Sequence, residues 1–518
     1  MRSIYTLACV FLLPLSAGAA PPALDYLFPA GARRGTTVEV VATGTFAAWP
    51  VEAWIDATGI AVRAAKEKGK LAVTVAADTT PGTHWLRLYN GEGASALRPF
   101  LVGTLPEVLE KEPNDDPKKP QTVTAPVVVN GQLDKAGDID TFALSLRKGQ
   151  TLVASLEAQH TLGSPMDGVL QVLSADGFVR AQNNDFYDLD PHVVYTAAAD
   201  GTYLVRLFAF PSVPDASVRF SGGPKFVYRL TLTTGAFADY AYPLAVSRAN
   251  PGTVELAGWN LPESLRRLPV VPTGAEEMVT LWHPELANAV TVRLEPNAVL
   301  VGPQKITLPA LVSGKLARPE TVDVYPLDAR KGQKVSFRLE SRAFGFPLDG
   351  VLRVTDAAGK VLGSAKAKAL GSDPVLDITI PQDGSYRLEV ADLHDDGSAR
   401  HVYLLHAGPP PDYTLKVAAD RFTLAPGKPL EIPITVERRG GHSAPVELSA
   451  EGLPDGVSAA AVTDKSGKAT LRLSGGSGPF SGPFHIVGKS EGVPARRARA
   501  ALPEVNATTP HLWLTVVK

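Results

Sequence analysis

An alternation of apolar and polar residues runs through nearly the whole chain and constrains its fold more than any other feature. Lys70-Leu71-Ala72-Val73-Thr74-Val75 and His84-Trp85-Leu86-Arg87-Leu88 are examples. A period of two puts successive side chains on opposite faces of a strand, so one face can be buried while the other is solvated. Gly, Pro or Asp breaks the pattern roughly every 8–12 residues, the spacing of sandwich strands. The 46 Gly and 44 Pro of the 518 residues supply these turns and disfavour long helices. Only residues 262–268 read as a helical turn. A chain of this length exceeds a single core. The expectation is an all-β protein, a string of about five β-sandwich domains.

Internal repetition supports that reading. Asp140, Phe142 and Arg147-Lys148-Gly149-Gln150 return 183 residues later as Asp323, Tyr325 and Arg330-Lys331-Gly332-Gln333. Asp200-Gly201-Thr202-Tyr203 returns as Asp383-Gly384-Ser385-Tyr386. A smaller pair, around Gly35-Thr36-Thr37-Val38 and Gly252-Thr253-Val254, precedes each large copy. The expected boundaries are 20–104 (small Ig-like unit), 105–235 (large copy 1), 236–294 (small unit), 295–417 (large copy 2) and 418–518 (Ig-like unit). In this reading the prolines at 409–411 lie in a loop within copy 2, and Tyr413-Thr414-Leu415-Lys416-Val417 is its last strand.

Arg2, an apolar run over residues 4–15 and Ala17-Gly18-Ala19 form the pattern of an export signal, expected to be residues 1–19. The one cysteine, Cys9, falls inside it, so the mature chain would contain no disulfide and no thiolate metal site. No later apolar stretch reaches membrane-spanning length. With 51 Lys+Arg against 53 Asp+Glu, no basic field suggests nucleic acid. The expected location is the periplasm, cell surface or extracellular space.

Glu112-Pro113-Asn114-Asp115, then Gly131, Asp138-Ile139-Asp140-Thr141-Phe142 and Asp200-Gly201-Thr202-Tyr203, resemble the bacterial pre-peptidase C-terminal (PPC) domain. That family is similar to the collagen-binding domains of secreted collagenases. The small units resemble TIG modules, and the last a bacterial Ig-like domain; the combination is similar to exported proteins of planctomycetes. The resemblance implies jelly-roll sandwiches that often bind calcium and sometimes an extracellular polymer.

Calcium takes six to eight oxygen ligands. Glu110, Glu112, Asn114 and Asp115 offer four oxygen-bearing side chains within six residues, and Asp138 and Asp140 offer two more. Extended backbone around Pro113 would point 110, 112 and 114 to one side. The resemblance implies that the two stretches approach each other, giving a Ca2+ site in copy 1. The alternative is that the first group caps a turn while Asp140 bonds nearby backbone. At a spacing of 183, Glu295-Pro296-Asn297 matches Glu112-Pro113-Asn114, but Arg293, Ala298 and Thr321 replace three ligands, so copy 2 should hold no metal.

The acidic loops at 183–190 and 392–397 read as solvated turns. Neither a zinc-protease helix, nor a nucleophile elbow, nor a phosphate loop is present in the sequence. The functional expectation is therefore a non-enzymatic binding or scaffold protein of the cell envelope, with an extracellular protein or polysaccharide as partner. Alternatives are an accessory protein for a secreted peptidase, or a cryptic hydrolase using Asp185 and Asp190. Trp49 and Trp54, beside a turn, and Phe186, Tyr187, Tyr195, Phe208 and Phe210 are candidate contact aromatics.

Overall fold

The computed structural model describes residues 20–214, 216, 219–274, 276–369, 371–464, 466–476 and 478–517. The expected export signal at 1–19 lies outside them. The protein is all-β. Among the described residues, regular helix is confined to the four-residue turn Gln159–Leu162 and three 3-10 turns, one of them Glu263–Leu265 in the expected helical segment. No helix there is long and apolar enough to cross a membrane.

Five large hydrophobic cores organise the described residues. The first, around Val40, Leu71, Leu86 and Phe100, lies between two sheets built from residues 23–103. The strand Lys70–Val75 shows why the sequence folds this way: Leu71, Val73 and Val75 are buried while Ala72 and Thr74 face out. The first large sandwich packs two five-stranded sheets over Phe142, Leu152, Val205 and Leu230. The small third unit pairs two three-stranded sheets over Val254, Leu256 and Val292.

The second large sandwich repeats the strand order of the first, without a counterpart of the edge strand Gln121–Thr122 among the described residues. Asp140–Leu146 pairs with Gly201–Pro211 so that Asp140 faces Leu207, and Asp323–Ala329 pairs with Gly384–Asp392 so that Asp323 faces Val390. Its last strand is Val402–Ala407, which lies beside Ala310–Lys315 as Val227–Thr233 lies beside Val127–Gln132.

Here the expected boundary is corrected. Asp412–Val417 pairs with Leu430–Arg439 and Val493–Leu502, and Tyr413 is buried in the fifth core. The alternating Tyr413, Leu415 and Val417 bury against the last unit, so the prolines at 409–411 connect units instead of forming a loop within one.

The string folds back on itself. Leu97 of the first unit packs with Leu502 and Val505 of the last. Trp513 of the last unit packs against Tyr89 and Trp54 of the first at tilted and edge-on angles, with centroids 4.8 and 6.0 Å apart.

Candidate metal centre

The strand Glu107–Leu109 runs parallel to Val127–Gln132, and the next N–H, that of Glu110, donates to Asn130 O at 3.0 Å. This registers the acidic segment against the sandwich before the chain leaves the sheet. The Glu110 carboxylate accepts from Gln132 N–H at 2.9 Å and from the Tyr228 hydroxyl at 2.8 Å. The same hydroxyl oxygen lies 2.5 Å from Asp140 Oδ2, so its single proton is shared between the two carboxyl groups. Gly131 makes room for this arrangement: a Cβ there would lie 2.1 Å from Tyr228 Cζ and 2.2 Å from Glu110 Oε2.

The rest of the loop folds back over the start of the strand Asp140–Leu146. Glu112 Oε2 accepts from Asn114 N–H at 3.2 Å, and Asp115 Oδ1 accepts from Ile139 N–H at 3.4 Å. Glu112–Pro113 is a cis peptide. Carboxylate oxygens of Glu110, Glu112 and Asp140 lie within 4.8 Å of one another, and so do those of Glu112, Asp115 and Asp138. The two groups share Glu112, so five of the six sequence-designated residues converge.

The sixth, Asn114, is fully buried, and neither its Oδ1 nor its Nδ2 has a hydrogen-bond partner among the described residues. Asp138 and Asp140 are also fully buried, each with an unbonded Oδ1. Asp138 Oδ2 accepts from Asp134 N–H at 2.5 Å, and its Oδ1 faces Lys135 Nζ at 3.4 Å on an exposed, displaceable side chain.

Buried polar atoms normally find partners, and leaving one without costs about 1–3 kcal/mol. Burial raises the pKa of Glu110, Asp138 and Asp140 above the usual carboxylate range, and the neighbouring Glu110 raises that of Asp140 further. Together these features describe an all-oxygen donor set short of positive charge. That suits a hard divalent cation such as calcium and offers none of the nitrogen or sulfur ligands that softer metals favour.

The second sandwich retains part of this framework. Tyr403 donates to Asp323 Oδ2 at 2.5 Å, and a Cβ on Gly314 would meet the Tyr403 ring at 2.2 Å. Asp140–Tyr228 thus has a structural counterpart where the other acids are missing. The reason for their absence differs from the sequence expectation, because Glu295 ends a strand of the third unit, Val290–Glu295. The position of Glu107–Leu109 is filled by Val299–Val301, parallel to Ala310–Lys315. Between Val301 and the bridge at Ile306 only four residues remain, in place of the acidic loop that runs from Leu109 to Gln121. The chance Glu-Pro-Asn at 295–297 concealed this shortening. Tyr228 was missed as well, although the paired Val227-Tyr228 and Val402-Tyr403 were its signal.

Other candidates resolve differently. The loop at 183–190 is not simply solvated: Asp190 is 1% exposed and accepts the N–H groups of Ala158, Gln159 and His160 at 2.7–3.2 Å. In the other loop Asp392, also buried, accepts the N–H groups of Asp349, His394 and Asp396. Phe186 and Tyr187 pack into a junction between units, with Arg400 of the second large sandwich 3.9 Å above the Phe186 ring. Tyr187 donates to Asp239 at 2.6 Å. Trp49 donates to Ala65 O at 2.7 Å, and Trp54 packs at a tilt against His511 of the last unit. Tyr195 packs on Tyr203, whereas Phe208, Phe210 and Phe220 cluster together, Phe210 being 36% exposed.

No family model matches the chain. It is 26% identical over 324 residues to a probable subtilase-type serine protease of Deinococcus radiodurans, covering 58% of this chain and 39% of that protein. The chain thus spans well under half of that relative. Among solved structures, the pre-peptidase C-terminal domain of a Bacillus anthracis collagenase matches 21% of this chain and 97% of its own length, at 14% identity and a TM-score of 0.17. SGBP-B of the Bacteroides ovatus mixed-linkage glucan utilization locus, solved with a heptasaccharide, matches 74% of this chain and 73% of its own, at 8% identity and a TM-score of 0.14.

Proposed function

We propose that this chain is an exported, non-enzymatic binding or scaffold protein of the cell envelope whose first large sandwich is a PPC-type module stabilised by calcium. The observation that carries the metal reading is the set of buried, unbonded oxygens on Asn114, Asp138 and Asp140 beside the carboxylates of Glu110, Glu112 and Asp115. Calcium supplies the charge that these acids lack. Glu112 and Asp115 would bring the loop to the ion, Asp138 would hold it from the sandwich, and Tyr228 would keep Glu110 and Asp140 oriented. The ion would thereby fix the segment joining the first two units, in a mature chain expected to have no disulfide. Isothermal titration of the EDTA-stripped full chain with calcium tests this. Saturable binding lost in Asp138→Ala supports it, and the absence of binding heat refutes it.

The partner in this reading is an extracellular protein or polysaccharide. A second reading, an accessory protein for a secreted peptidase, is favoured by the partial similarity to a probable subtilase-type protease. Co-purification of a peptidase with the tagged chain from its native host would support it, and a pull-down free of peptidase activity would count against it. The hydrolase alternative, which rests on acidic loops including Asp185 and Asp190, loses Asp190 to three backbone N–H groups.

A further inference from the structure

Four of the five units meet around a cavity of about 550 Å³, lined by Gly82 of the first, Glu157 and Arg229 of the first large sandwich, Phe237 and Thr280 of the small third unit and Phe344 of the second large sandwich. Cavities of this size between domains are common places for small ligands.

Its charges do not balance. Arg229 is 2% exposed, and its terminal nitrogens are taken by Glu107, at 3.0 and 2.8 Å, and by Asn130 at 2.7 Å. Arg229 Nε–H has no hydrogen-bond partner among the described residues and faces Glu157 Oε2 at 3.9 Å. That is too far for a hydrogen bond, so this N–H is left without an acceptor. On the opposite wall Asp239 is matched by Arg400 at 3.0 Å. His160 is engaged by Asp188 at 2.6 Å. Glu157 has only that distant contact with Arg229, which is already bonded to Glu107, and the buried Asp190 is held by backbone N–H groups.

The Glu157 side chain is 40% exposed and lines this cavity, and burial by the surrounding units raises its pKa to about 7 against the pull of Arg229. A carboxylate with no hydrogen-bonded cation, a buried donor lacking an acceptor and aromatic walls together specify complementary chemistry.

We propose that this cavity binds a small protonated amine bearing neighbouring hydroxyl groups, with the ammonium on Glu157, a hydroxyl oxygen accepting from Arg229 Nε–H and the carbon skeleton against Phe344. None of these residues belongs to the metal set, so the inference stands apart from the calcium reading.

The test is isothermal titration of the full chain at pH 8 with N-methylglucamine, and with sorbitol as its uncharged counterpart. N-methylglucamine should bind with one site per chain, and sorbitol about tenfold or more weakly, the scale of one lost charge-assisted hydrogen bond. Glu157→Gln should weaken the amine by a similar factor and leave sorbitol unchanged. Equal affinity for the two compounds in the unaltered protein, no binding of the amine at millimolar concentration, or full binding by a folded Glu157→Gln protein would overturn the proposal. The comparison in the unaltered chain decides the matter even if the variant does not fold.

Discussion

Arg87 of the first unit donates to Asp420 of the last across 3.0 Å, joining positions 333 residues apart. The guanidinium is fully buried, donates also to His511 O at 3.1 Å and lies 5.2 Å from the centre of the Trp513 ring. Burial lowers its pKa to about 10, with Asp420 opposing the shift. Removing one member of a buried pair leaves the other charge stranded, at a cost of about 3–5 kcal/mol. Asp420→Ala should therefore destabilise the contact between first and last units by that order, seen as an earlier change in tryptophan fluorescence during urea unfolding. An unaltered transition would mean that the closure rests on the apolar contacts of Leu97, Leu502 and Val505 instead.

Tyr403→Phe should cost about 1.5–3 kcal/mol, the usual scale for a hydrogen bond to a charged group, because Asp323 is buried and loses the Tyr403 donor. The loss should be equal in EDTA and in calcium. Tyr228→Phe should show a comparable loss and, in addition, a smaller response to calcium. Thermal unfolding of both variants in both buffers checks the contrast; identical calcium responses would remove Tyr228 from the account of the metal centre.

His192 predicts a pH dependence. The ring is 4% exposed and neither nitrogen has a hydrogen-bond partner among the described residues. It sits between Phe186 and Trp259, with centroids 4.6 and 4.5 Å away. Burial, reinforced by Arg400, lowers its pKa to about 3. Between that value and the unfolded value near 6.5 the unfolded chain binds the extra proton. The contribution is thus fully present above about pH 6.5 and is lost as pH falls toward 3, at about 1.4 kcal/mol per unit. In His192→Phe the stability difference between pH 7 and pH 5 should shrink by about 2 kcal/mol. The same pH slope in denaturant titrations of both proteins would contradict this.

The strands were legible because burial follows a period of two, as in Lys70–Val75. The acidic cluster was legible because its carboxylates lie in two short stretches, although nothing in those stretches showed that Gly131 admits Tyr228 and Glu110 side by side. Contacts between units were not legible. Arg87 with Asp420 and Arg400 with Asp239 are pairings across great chain distances, and an arginine in an alternating strand gives no local sign of its burial. Asp190 looked like an ordinary turn residue because the three N–H groups that it satisfies lie about 30 residues earlier. Asp412–Val417 was assigned to the wrong sandwich because an apolar alternation shows that a strand has a buried face and not which core receives it.

The most direct test of the central claim is thermal unfolding of the full chain, first in EDTA and then in 1 mM calcium, with Asp138→Ala alongside. A site with a dissociation constant near ~10 μM would stabilise the folded first large sandwich by about 2.7 kcal/mol at that concentration. The account predicts that one transition moves to higher temperature with calcium in the unaltered protein, and that no transition moves in Asp138→Ala. Superimposable curves in EDTA and calcium for the unaltered protein would contradict it, leaving Glu110, Glu112, Asn114, Asp115, Asp138 and Asp140 as parts of the framework alone.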